Sequence, residues 1–503
     1  MNKQKQYEVV IIGTGFGGQL AAINLRKRGI EDFVLLERRS FMGGTWSQNT
    51  YPGAAVDVQS PLYSLSAEPY DWSQMFAEQH ELQAYTEHVI EKHGLRDKTL
   101  TEHAVSKIEW SASQQLWHIS LHGREALYAR YVINATGPLS TPVIPDFKGK
   151  ERFKGTSFHT NDWNHDYDYR GKRVAVIGSG ASAAQVIPAI APDVAQLHVF
   201  QRTPHWVLPR PDYRFKPWQR ALLRNKWVYK MLRVLIYWAL ETRVLGFKYS
   251  KAVLEILAGR TARKHIETQI SDPELRKKVT PDFTIGCKRV ILSDTLYPAF
   301  CRDNTTLHDS TEGIEQITET GIVTTQGEEI PLDLIVYSTG FDATDGVISY
   351  PVVGREGREL ADFWHDYPRA YLGTTVPGFP NLFIVTGPNT GIGHTSALFI
   401  IESQMKYIMQ ALERARPEGV IEVQSEAEAR YTQKIHREMA KTVWQTGGCQ
   451  SWYKSRSGKV IAMFPGFSFT FRRWASRFRS GDHRVTPAVG QAEKQASISS
   501  PQI

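Results

Sequence analysis

The chain has 503 residues, of which 41% are hydrophobic and 22% charged, a composition that can bury several globular cores. Its net charge of +8 fits an acidic partner, which leaves nucleic acid, anionic lipid and large anionic cofactors open. The three cysteines form no C-x-x-C pair and no metal-ligand cluster. They predict free thiols in a reducing compartment and no metal site.

The amino-terminal residues 1–6 form a short polar stub without the arrangement of a signal peptide, so we expect a cytoplasmic protein. The most apolar stretch, Met231 to Phe247, is interrupted by Arg233, Glu241 and Arg243. This interruption predicts that no transmembrane helix is present.

Two segments share one order of elements: a β-branched strand, a glycine-rich loop, an alanine-rich helix and a second strand. The first begins at Val9 and ends at Glu37, and the second begins at Val174 and ends at Arg202. Continuous apolar strands that alternate with helices indicate a parallel sheet covered on both faces. We therefore predict an α/β fold with two Rossmann-like dinucleotide-binding domains, each of three layers.

The segments around these units predict how the domains are divided. Residues 1–140 and 332–480 are expected to form the first domain, which contains a small antiparallel meander over residues 107–133. Residues 145–330 are expected to form the second domain, with a helical insertion over about 217–278. Proline and glycine in the connections favour a hinge. The polar residues 481–503 are expected to be a disordered tail.

Each glycine-rich loop predicts a pyrophosphate site. The loops are Gly13-x-Gly15-x-x-Gly18 and Gly178-x-Gly180-x-x-Ala183. The glycines permit a tight turn, a close approach of the backbone to phosphate and the packing of helix on strand. The phosphates would bind the free N–H groups at the helix amino terminus.

The last residue of each second strand distinguishes the two sites. Glu37 lies 24 positions after Gly13, and Arg202 lies 24 positions after Gly178. A carboxylate accepts hydrogen bonds from ribose hydroxyls and repels a 2′-phosphate, whereas a guanidinium attracts one. The first site is therefore predicted to bind FAD and the second NADPH, with Thr203 and Lys288 as further donors to the 2′-phosphate.

Three further motifs carry a family resemblance. They are Phe153-x-Gly155-x-x-x-His159-x-x-x-Trp163, the run from Gly43 through Thr45, Trp46 and Tyr51 to Asp57, and Cys287-Lys288-Arg289. Together they resemble the signatures of Baeyer–Villiger monooxygenases, the class B flavin enzymes that insert oxygen beside a carbonyl. The resemblance covers nearly the whole chain. Asn164 departs from it, because the family usually has Pro or Asp at this position.

The resemblance implies the reaction and its residues. NADPH would reduce the flavin, O₂ would form a C4a-peroxyflavin, and an apolar carbonyl compound would become an ester or lactone. Arg289 would stabilise the anionic peroxide because it stays charged, and Asp57 would hold that arginine in place. The resemblance also assigns cofactor contacts to Thr45, Trp46, Tyr63, Ser182 and Trp452. Phe153, Gly155, His159 and Trp163 would form the hinge, His159 in a structural role.

Other segments leave alternatives open. The loop from Thr386 to His394 precedes a helix that either points at the flavin pyrimidine or carries an ordinary cap, and His394 is expected to be a loop residue. Trp444 is expected to pack. The insertion is both basic and apolar; a buried helical subdomain is favoured over peripheral membrane contact. The run from Phe469 to Arg479 is basic and aromatic, but no module surrounds it that would predict nucleic-acid binding.

Three functions fit these observations. The first is ketone oxygenation. The second is oxygenation of a sulfide or amine, which would use the protonated hydroperoxyflavin. The third is an NADPH–flavin reductase that passes electrons to a protein partner, although such enzymes often have the C-x-x-C pair that this chain lacks.

Overall fold

The computed structural model describes residues 5–343, 347–416 and 419–486. Two large sheets organise this part of the chain, with helices packed on their faces. The strands are β1 (Gln6–Ile12), β2 (Phe33–Leu36), β3 (Thr99–Leu100), β4 (Val105–Ser111), β5 (Leu116–Leu121), β6 (Arg124–Asn134), β7 (Thr156–His159), β8 (Arg173–Ile177), β9 (Gln196–Phe200), β10 (Val207–Leu208), β11 (Ile291–Leu292), β12 (Thr305–His308), β13 (Ile314–Ile317), β14 (Gly321–Thr324), β15 (Glu329–Pro331), β16 (Leu334–Tyr337), β17 (Val352–Val353), β18 (Leu382–Ile384), β19 (Val420–Val423) and β20 (His483–Thr486).

The helices connect and cover these strands. They are α1 (Phe16–Arg26), α2 (Thr45–Gln48), α3 (Gln79–Lys92), α4 (Ala181–Ile190), α5 (Pro217–Leu223), α6 (Lys226–Glu241), α7 (Lys251–Leu254), α8 (Arg260–Gln269), α9 (Pro273–Val279), α10 (Leu296–Phe300), α11 (Leu360–Phe363), α12 (Ala397–Ala415), α13 (Ser425–Met439), α14 (Val443–Thr446) and α15 (Ser468–Ala475).

The first sheet has the order β17-β4-β5-β6-β1-β2-β3, and β18 also pairs with β6. Strands β6, β1, β2 and β3 are parallel, whereas β4, β5 and β6 form the predicted antiparallel meander. All four residues of β2 are buried, as expected of a strand that is covered on both faces. Helices α1 and α12 contact each other, so the first domain is built from distant parts of the chain.

The second sheet has the order β12-β9-β8-β16-β7, and all its strands are parallel. The two-domain Rossmann-like α/β fold predicted from the sequence is therefore confirmed. The predicted boundary at residue 332 is wrong, because Leu334–Tyr337 forms the strand between β8 and β7 in this sheet. The chain re-enters the first domain after this strand.

Two connections between the domains run side by side. Pro142 and Phe341 form an antiparallel bridge, and Val143 donates its backbone N–H to Gly340 at 3.0 Å. Asp342 returns a backbone hydrogen bond to Thr141 at 3.0 Å. Both crossings thus form one paired backbone element, at the place where the sequence favoured a hinge.

Part of the predicted tail forms a strand. Residues 483–486 belong to the range expected to be disordered, but they form β20, which pairs antiparallel with β19. Two of the four side chains of β20 are exposed and one is buried. Backbone hydrogen bonds to β19 therefore hold this strand in place more than the burial of apolar side chains does. The rest of the predicted tail, residues 487–503, lies outside the described residues.

The helical insertion contains α5 to α9 and includes two segments of π-helix, Leu245–Tyr249 and Glu255–Gly259. In the described part of the chain, no helix is both long and apolar enough to cross a membrane.

Candidate active site

The first glycine-rich loop connects β1 to α1 and forms an open cradle. Gly13 has a φ of +105°, and a Cβ at this position would lie 2.5 Å from the Ala135 carbonyl oxygen. A Cβ at Gly18 would overlap the Gly13 carbonyl. By contrast, a Cβ at Gly15 would meet only the Cα of Gly44, at 3.6 Å. The loop is closed on its protein side and open at the amino terminus of α1.

Glu37 directly follows β2 and lies at the edge of this cradle. Its side chain is buried and accepts hydrogen bonds from the Thr14 hydroxyl at 2.6 Å and the Arg39 backbone N–H at 3.0 Å. These contacts fix the carboxylate beside the glycine-rich loop. A fixed acceptor at this position suits the hydroxyls of a ribose.

The second glycine-rich loop connects β8 to α4 in the same way. Gly178 has a φ of +130°, and a Cβ there would overlap the Ser338 carbonyl. A Cβ at Gly180 would meet nothing within 4 Å. Gly180 also provides no side-chain cap for α4, so the N–H groups of the first turn remain free for an anion.

Basic side chains from two segments meet beside this second cradle. Arg202 is exposed two residues after β9, and Thr203 follows it. Burial, and then the charge of Arg202, lower the pKa of Lys288. Burial and the charge of Lys288 also lower the pKa of His205 to about 4. The positive charge of Arg202 thus acts on Lys288 and that of Lys288 on His205, which suits a phosphate site, and His205 is a residue that the sequence did not reveal.

Arg289 forms an ion pair with Asp57 across the domain interface. Its Nε donates to Asp57 Oδ2 at 2.7 Å, and its Nη2 lies 2.5 Å from the same oxygen. The side chains remain 42% and 29% exposed, respectively. The Asp57 carboxylate raises the pKa of Arg289 above its ordinary value, against the opposite effect of burial. This position therefore holds a permanent positive charge that is still accessible.

Aromatic side chains surround the ion pair. Trp46 donates its indole N–H to the Tyr63 hydroxyl at 3.2 Å. Burial raises the pKa of Tyr63, and raises that of Tyr453 to about 12 in spite of nearby Arg289. Tyr453 is almost fully buried and was missed in the sequence, where its neighbour Trp452 was chosen instead. Trp452 is 44% exposed, and its ring lies 4.5 Å from that of Tyr453.

The loop from Tyr51 to Ala55 docks on the first turns of α4. The Tyr51 hydroxyl contacts Gln185 Oε1 at 2.8 Å and Ser182 Oγ at 3.2 Å, and Gln185 donates to the Ala55 carbonyl at 2.8 Å. Burial raises the pKa of Tyr51 to about 12. Ser182 is thus part of the contact between the domains, and Gln185 is a residue that the sequence did not reveal.

Of the fingerprint residues, Phe153, Gly155 and Trp163 pack within the second domain, and His159 lies beside the paired connection between the domains. A Cβ at Gly155 would lie 2.5 Å from the Phe153 ring, so these two residues pack within the second domain. Trp163 is buried, with its ring 4.9 Å from Phe158. His159 is the last residue of β7 and is buried. Its ring accepts the Asn161 N–H at 3.0 Å and lies 5.7 Å from the ring of Phe341, which belongs to the paired connection. Burial lowers the pKa of His159, and its position supports a structural role.

The segment after the fingerprint contacts the first domain. Gln48 donates to the Asn161 carbonyl, and Thr50 Oγ1 lies 2.7 Å from His165 Nε2. Asn164 accepts the Asp166 N–H at 3.0 Å, a turn contact that an aspartate would also make. The departure from the family pattern at Asn164 therefore preserves the local hydrogen bond.

The loop before α12 is anchored to the helical insertion. Ser396 caps α12 by accepting the Leu398 N–H at 3.3 Å, which is an ordinary cap. His394 is fully buried, and its Nε2 lies 3.2 Å from Glu241 Oε2. Glu241 also accepts hydrogen bonds from the backbone and side chain of Ser468. Three distant segments thus meet at one buried carboxylate.

A disulfide contradicts the expectation that all the cysteines are free thiols. Cys287 and Cys449 are bonded, with Cα atoms 6.0 Å apart, and Cys301 is free and exposed. Their separation of 162 residues hides this proximity from a search for short cysteine motifs. The bond joins the segment of Lys288 and Arg289 to the segment of Trp452 and Tyr453. Trp444 is buried in the same region and stacks on Phe247, as a packing residue.

The residues present fit one dinucleotide in each cradle. Gly15 and Gly180 leave room where a side chain would fill the loop, and neither α1 nor α4 has a side-chain cap. The Ser47 hydroxyl and Gln48 Oε1, in the run after Gly44, are buried without a hydrogen-bond partner among the described residues. The hydroxyl is able to donate or accept, and the amide oxygen to accept, a hydrogen bond with a bound cofactor.

Known proteins share this arrangement. A family model described as pyridine nucleotide-disulphide oxidoreductase matches residues 10–236. A protein named Baeyer-Villiger monooxygenase, from Pseudomonas aeruginosa, is 45% identical over 484 residues, which are 95% of this chain and 91% of that one.

Solved structures agree with that relative over nearly the whole chain. The structure of OTEMO in complex with FAD and NADP has a TM-score of 0.87 at 26% identity and covers 96% of this chain and 100% of its own. The closed structure of cyclohexanone monooxygenase has a TM-score of 0.86 at 27% identity and covers 97% and 100%. Similarity in sequence and fold extends over both cradles and the segments between them, and the chain belongs to the Baeyer–Villiger monooxygenase family.

Proposed function

We propose that the chain is an FAD-containing, NADPH-dependent monooxygenase that uses O₂ to convert an apolar ketone to an ester or lactone. The observation that carries this proposal is the Arg289–Asp57 ion pair. Arg289 is adjacent in sequence to Lys288 of the phosphate site, and Asp57 lies two residues after the loop that docks on α4. The ion pair thus lies where the two dinucleotide units meet.

The assignment of the cofactors rests on charge. Glu37 is fixed beside the first cradle by Thr14 and Arg39, which suits the ribose of FAD. Arg202 and Lys288 supply two positive charges beside the second cradle, which suits the 2′-phosphate of NADPH. An anionic residue at the second position would repel this phosphate.

The reaction needs a charge that does not titrate. Bound FAD supplies the chemistry that activates O₂ once NADPH has reduced it. Arg289 would stabilise negative charge on the reacting oxygen, and it stays protonated because Asp57 raises its pKa further. Asp57 orients the guanidinium, and the half-buried ring of Tyr63 and the buried ring of Tyr453 exclude water from one side.

The competing functions make different demands on the site. Oxygenation of a sulfide or amine needs a protonated oxidant, which a permanent positive charge at Arg289 disfavours. A reductase that exchanges electrons with a partner's thiols needs an accessible cysteine pair. Cys287 and Cys449 are 0% and 4% exposed, so a partner protein has no access to their bond. The positive charge at Arg289 and the buried disulfide therefore both favour ketone oxygenation over these alternatives.

A stopped-flow experiment tests the proposal. The FAD-loaded protein is reduced with NADPH without oxygen and then mixed with O₂, first alone and then with a panel of ketones. We expect a long-lived absorbance that belongs to neither reduced nor oxidised flavin, and its faster decay with a ketone that yields ester. Immediate return of oxidised flavin, with hydrogen peroxide and no ester from any ketone, would contradict the proposal.

A further inference from the structure

Helix α6 presents a second apolar face to solvent. Trp227, Met231, Val234, Leu235 and Trp238 are 68%, 59%, 46%, 61% and 53% exposed. Their spacing of three or four residues places them on one side of the helix. We call these five side chains the outer face of α6.

Large apolar side chains on neighbouring segments are exposed as well. The Phe469 ring of α15 lies 5.9 Å from the Trp238 ring and is itself 40% exposed. Trp218 and Leu222 on α5, and Leu245, Tyr249 and Ile256 after α6, are also exposed by half or more of their surface. We call the outer face and these neighbours the insertion patch. A contiguous group of large exposed apolar side chains marks an interaction site, whereas single exposed ones do not.

The opposite side of α6 already fulfils the structural role expected of the insertion. Tyr229, Ile236 and Leu240 are buried in the core of the first domain. Tyr229 also bonds to Ser64 at 3.1 Å and Trp72 at 3.0 Å. The favoured interpretation from sequence, a buried helical subdomain, therefore describes only the inner side. The outer face adds nothing to this core, because its five side chains are 46% to 68% exposed.

The charge around the patch is strongly one-sided. Residues 213–256 contain ten Lys or Arg and two Asp or Glu, Glu241 and Glu255. Glu241 is buried against His394 and Ser468, and Glu255 is paired with Arg263. Arg220 and Arg224 pair with Asp71, and Lys248 pairs with Glu438. Lys226, Lys230 and Arg243 form no ion pair with any described residue, and the ammonium groups of Lys226 and Lys230 each lie 5.8 Å from the Trp227 ring centroid. Free positive charge thus borders the apolar outer face.

We propose that the insertion patch docks on the surface of an anionic lipid bilayer. Surfaces that combine tryptophan and lysine with central aliphatic side chains bind the membrane interface. The apolar side chains enter the acyl boundary, and the cations contact the headgroups. No helix in the described residues is able to span a membrane, so the contact is peripheral. The inference goes beyond the proposed reaction and does not depend on it.

Charge and shape favour lipid over two other partners. A second copy of the chain paired through this patch would bring the same unpaired lysines together, at an electrostatic cost. Nucleic acid would satisfy the lysines, but its phosphates offer nothing to Met231, Val234 and Leu235 at the centre. An anionic bilayer satisfies both parts of the patch.

Co-sedimentation with vesicles tests the proposal on the FAD-loaded full chain. Vesicles of phosphatidylcholine alone are compared with vesicles that also contain phosphatidylglycerol. We expect binding to the anionic vesicles and a decrease of at least ~10-fold in the partition coefficient for the Lys226→Glu/Lys230→Glu variant. The matched control is Lys27→Glu/Lys172→Glu, which removes the same charge from two exposed lysines outside the patch and should bind as the parent does.

A second variant separates the apolar contribution from simple charge attraction. Leu235 is 61% exposed, so Leu235→Asp should keep the fold and the flavin content while losing vesicle binding. Equal loss of binding in the Lys27→Glu/Lys172→Glu control would overturn the proposal. So would binding that Leu235→Asp leaves unchanged, a Leu235-dependent dimer without vesicle binding, or binding to duplex DNA in place of vesicles.

Discussion

Arg289 and Asp57 lie 232 positions apart in the chain, yet two nitrogen atoms of the Arg289 guanidinium contact the same carboxylate oxygen of Asp57. The arginine stays accessible while the carboxylate holds it, so its remaining N–H donors are available to an anionic reactant.

This geometry predicts the effect of Arg289→Ala. We expect ester formation to fall by ~100-fold or more, because the negative oxygen loses its fixed positive partner. Reduction of the flavin by NADPH should persist, since neither cradle is altered. Product analysis and anaerobic stopped-flow reduction measure the two effects separately. Arg302→Ala, at an exposed arginine, is the control, and ester formation at the parent rate by Arg289→Ala would refute the role.

Arg202 predicts the choice between NADPH and NADH. In Arg202→Ala we expect the KM for NADPH to rise ~10-fold or more while the KM for NADH changes little, because only NADPH carries the 2′-phosphate. Steady-state kinetics with both nucleotides measure the difference. An unchanged preference for NADPH would mean that the phosphate is bound elsewhere.

Lys288 adds a pH dependence to the same site. Its pKa is lowered by burial and by Arg202, so its positive charge is lost at a lower pH than that of an ordinary lysine. The KM for NADPH should therefore rise on the alkaline side, and the KM for NADH should stay flat. Removal of Arg202 takes away one lowering cause, so the alkaline rise should move to higher pH in Arg202→Ala. An unmoved or acid-shifted rise would contradict this coupling.

At the scale of elements, the loop from Tyr51 to Ala55 connects the first domain to helix α4 of the second. Gly53 has a φ of +80°, and a Cβ there would lie 2.5 Å from the Gln185 carbonyl oxygen of α4. Gly171 has a similar φ of +67° with nothing within 4 Å of its Cβ position. The two glycines therefore separate backbone strain from loss of domain contact.

We expect Gly53→Ala to lower stability by ~1–3 kcal/mol more than Gly171→Ala, because only the former forces α4 away. Hydride transfer should also slow in Gly53→Ala alone, as the two cofactors lose their alignment. Thermal unfolding and anaerobic flavin reduction measure both effects. Equal behaviour of the two variants would show that the loop does not couple the domains.

The disulfide predicts a thiol count. Cys287 and Cys449 are bonded and Cys301 is free, so the denatured, unreduced chain should react with one equivalent of a thiol reagent. After reduction it should react with three, the number of cysteines in the sequence. Three equivalents before reduction would show that the segments of Arg289 and Tyr453 meet without a covalent link.

For the whole molecule, the sequence predicted the features that depend on neighbouring residues and missed those that depend on contacts between distant residues. The two cradles, Glu37 and Arg202 were predictable because each unit of strand, loop, helix and second strand lies within 29 consecutive residues, Val9 to Glu37 and Val174 to Arg202. The contacts of Tyr51 with Gln185, of Glu241 with His394, and of Cys287 with Cys449 were not, because each joins residues more than a hundred positions apart. Tyr453 was missed for the same reason.

The boundary of the second domain shows this limit as well. Leu334–Tyr337 reads as one more apolar strand, and no local feature says which of two parallel sheets receives it. Only the pairing with β8 and β7 decides. The strand β20 lies in a polar segment whose composition predicts disorder, and it is placed by its hydrogen bonds to β19.

Isotope labelling tests the central claim most directly. The FAD-loaded enzyme is supplied with NADPH, ¹⁸O₂ and a ketone from the panel that turns over, and the product is analysed by mass spectrometry. A ketone oxygenase incorporates one ¹⁸O atom into each ester or lactone and consumes one NADPH for it. Unlabelled product, or NADPH oxidation that yields only hydrogen peroxide with every ketone, would contradict the account.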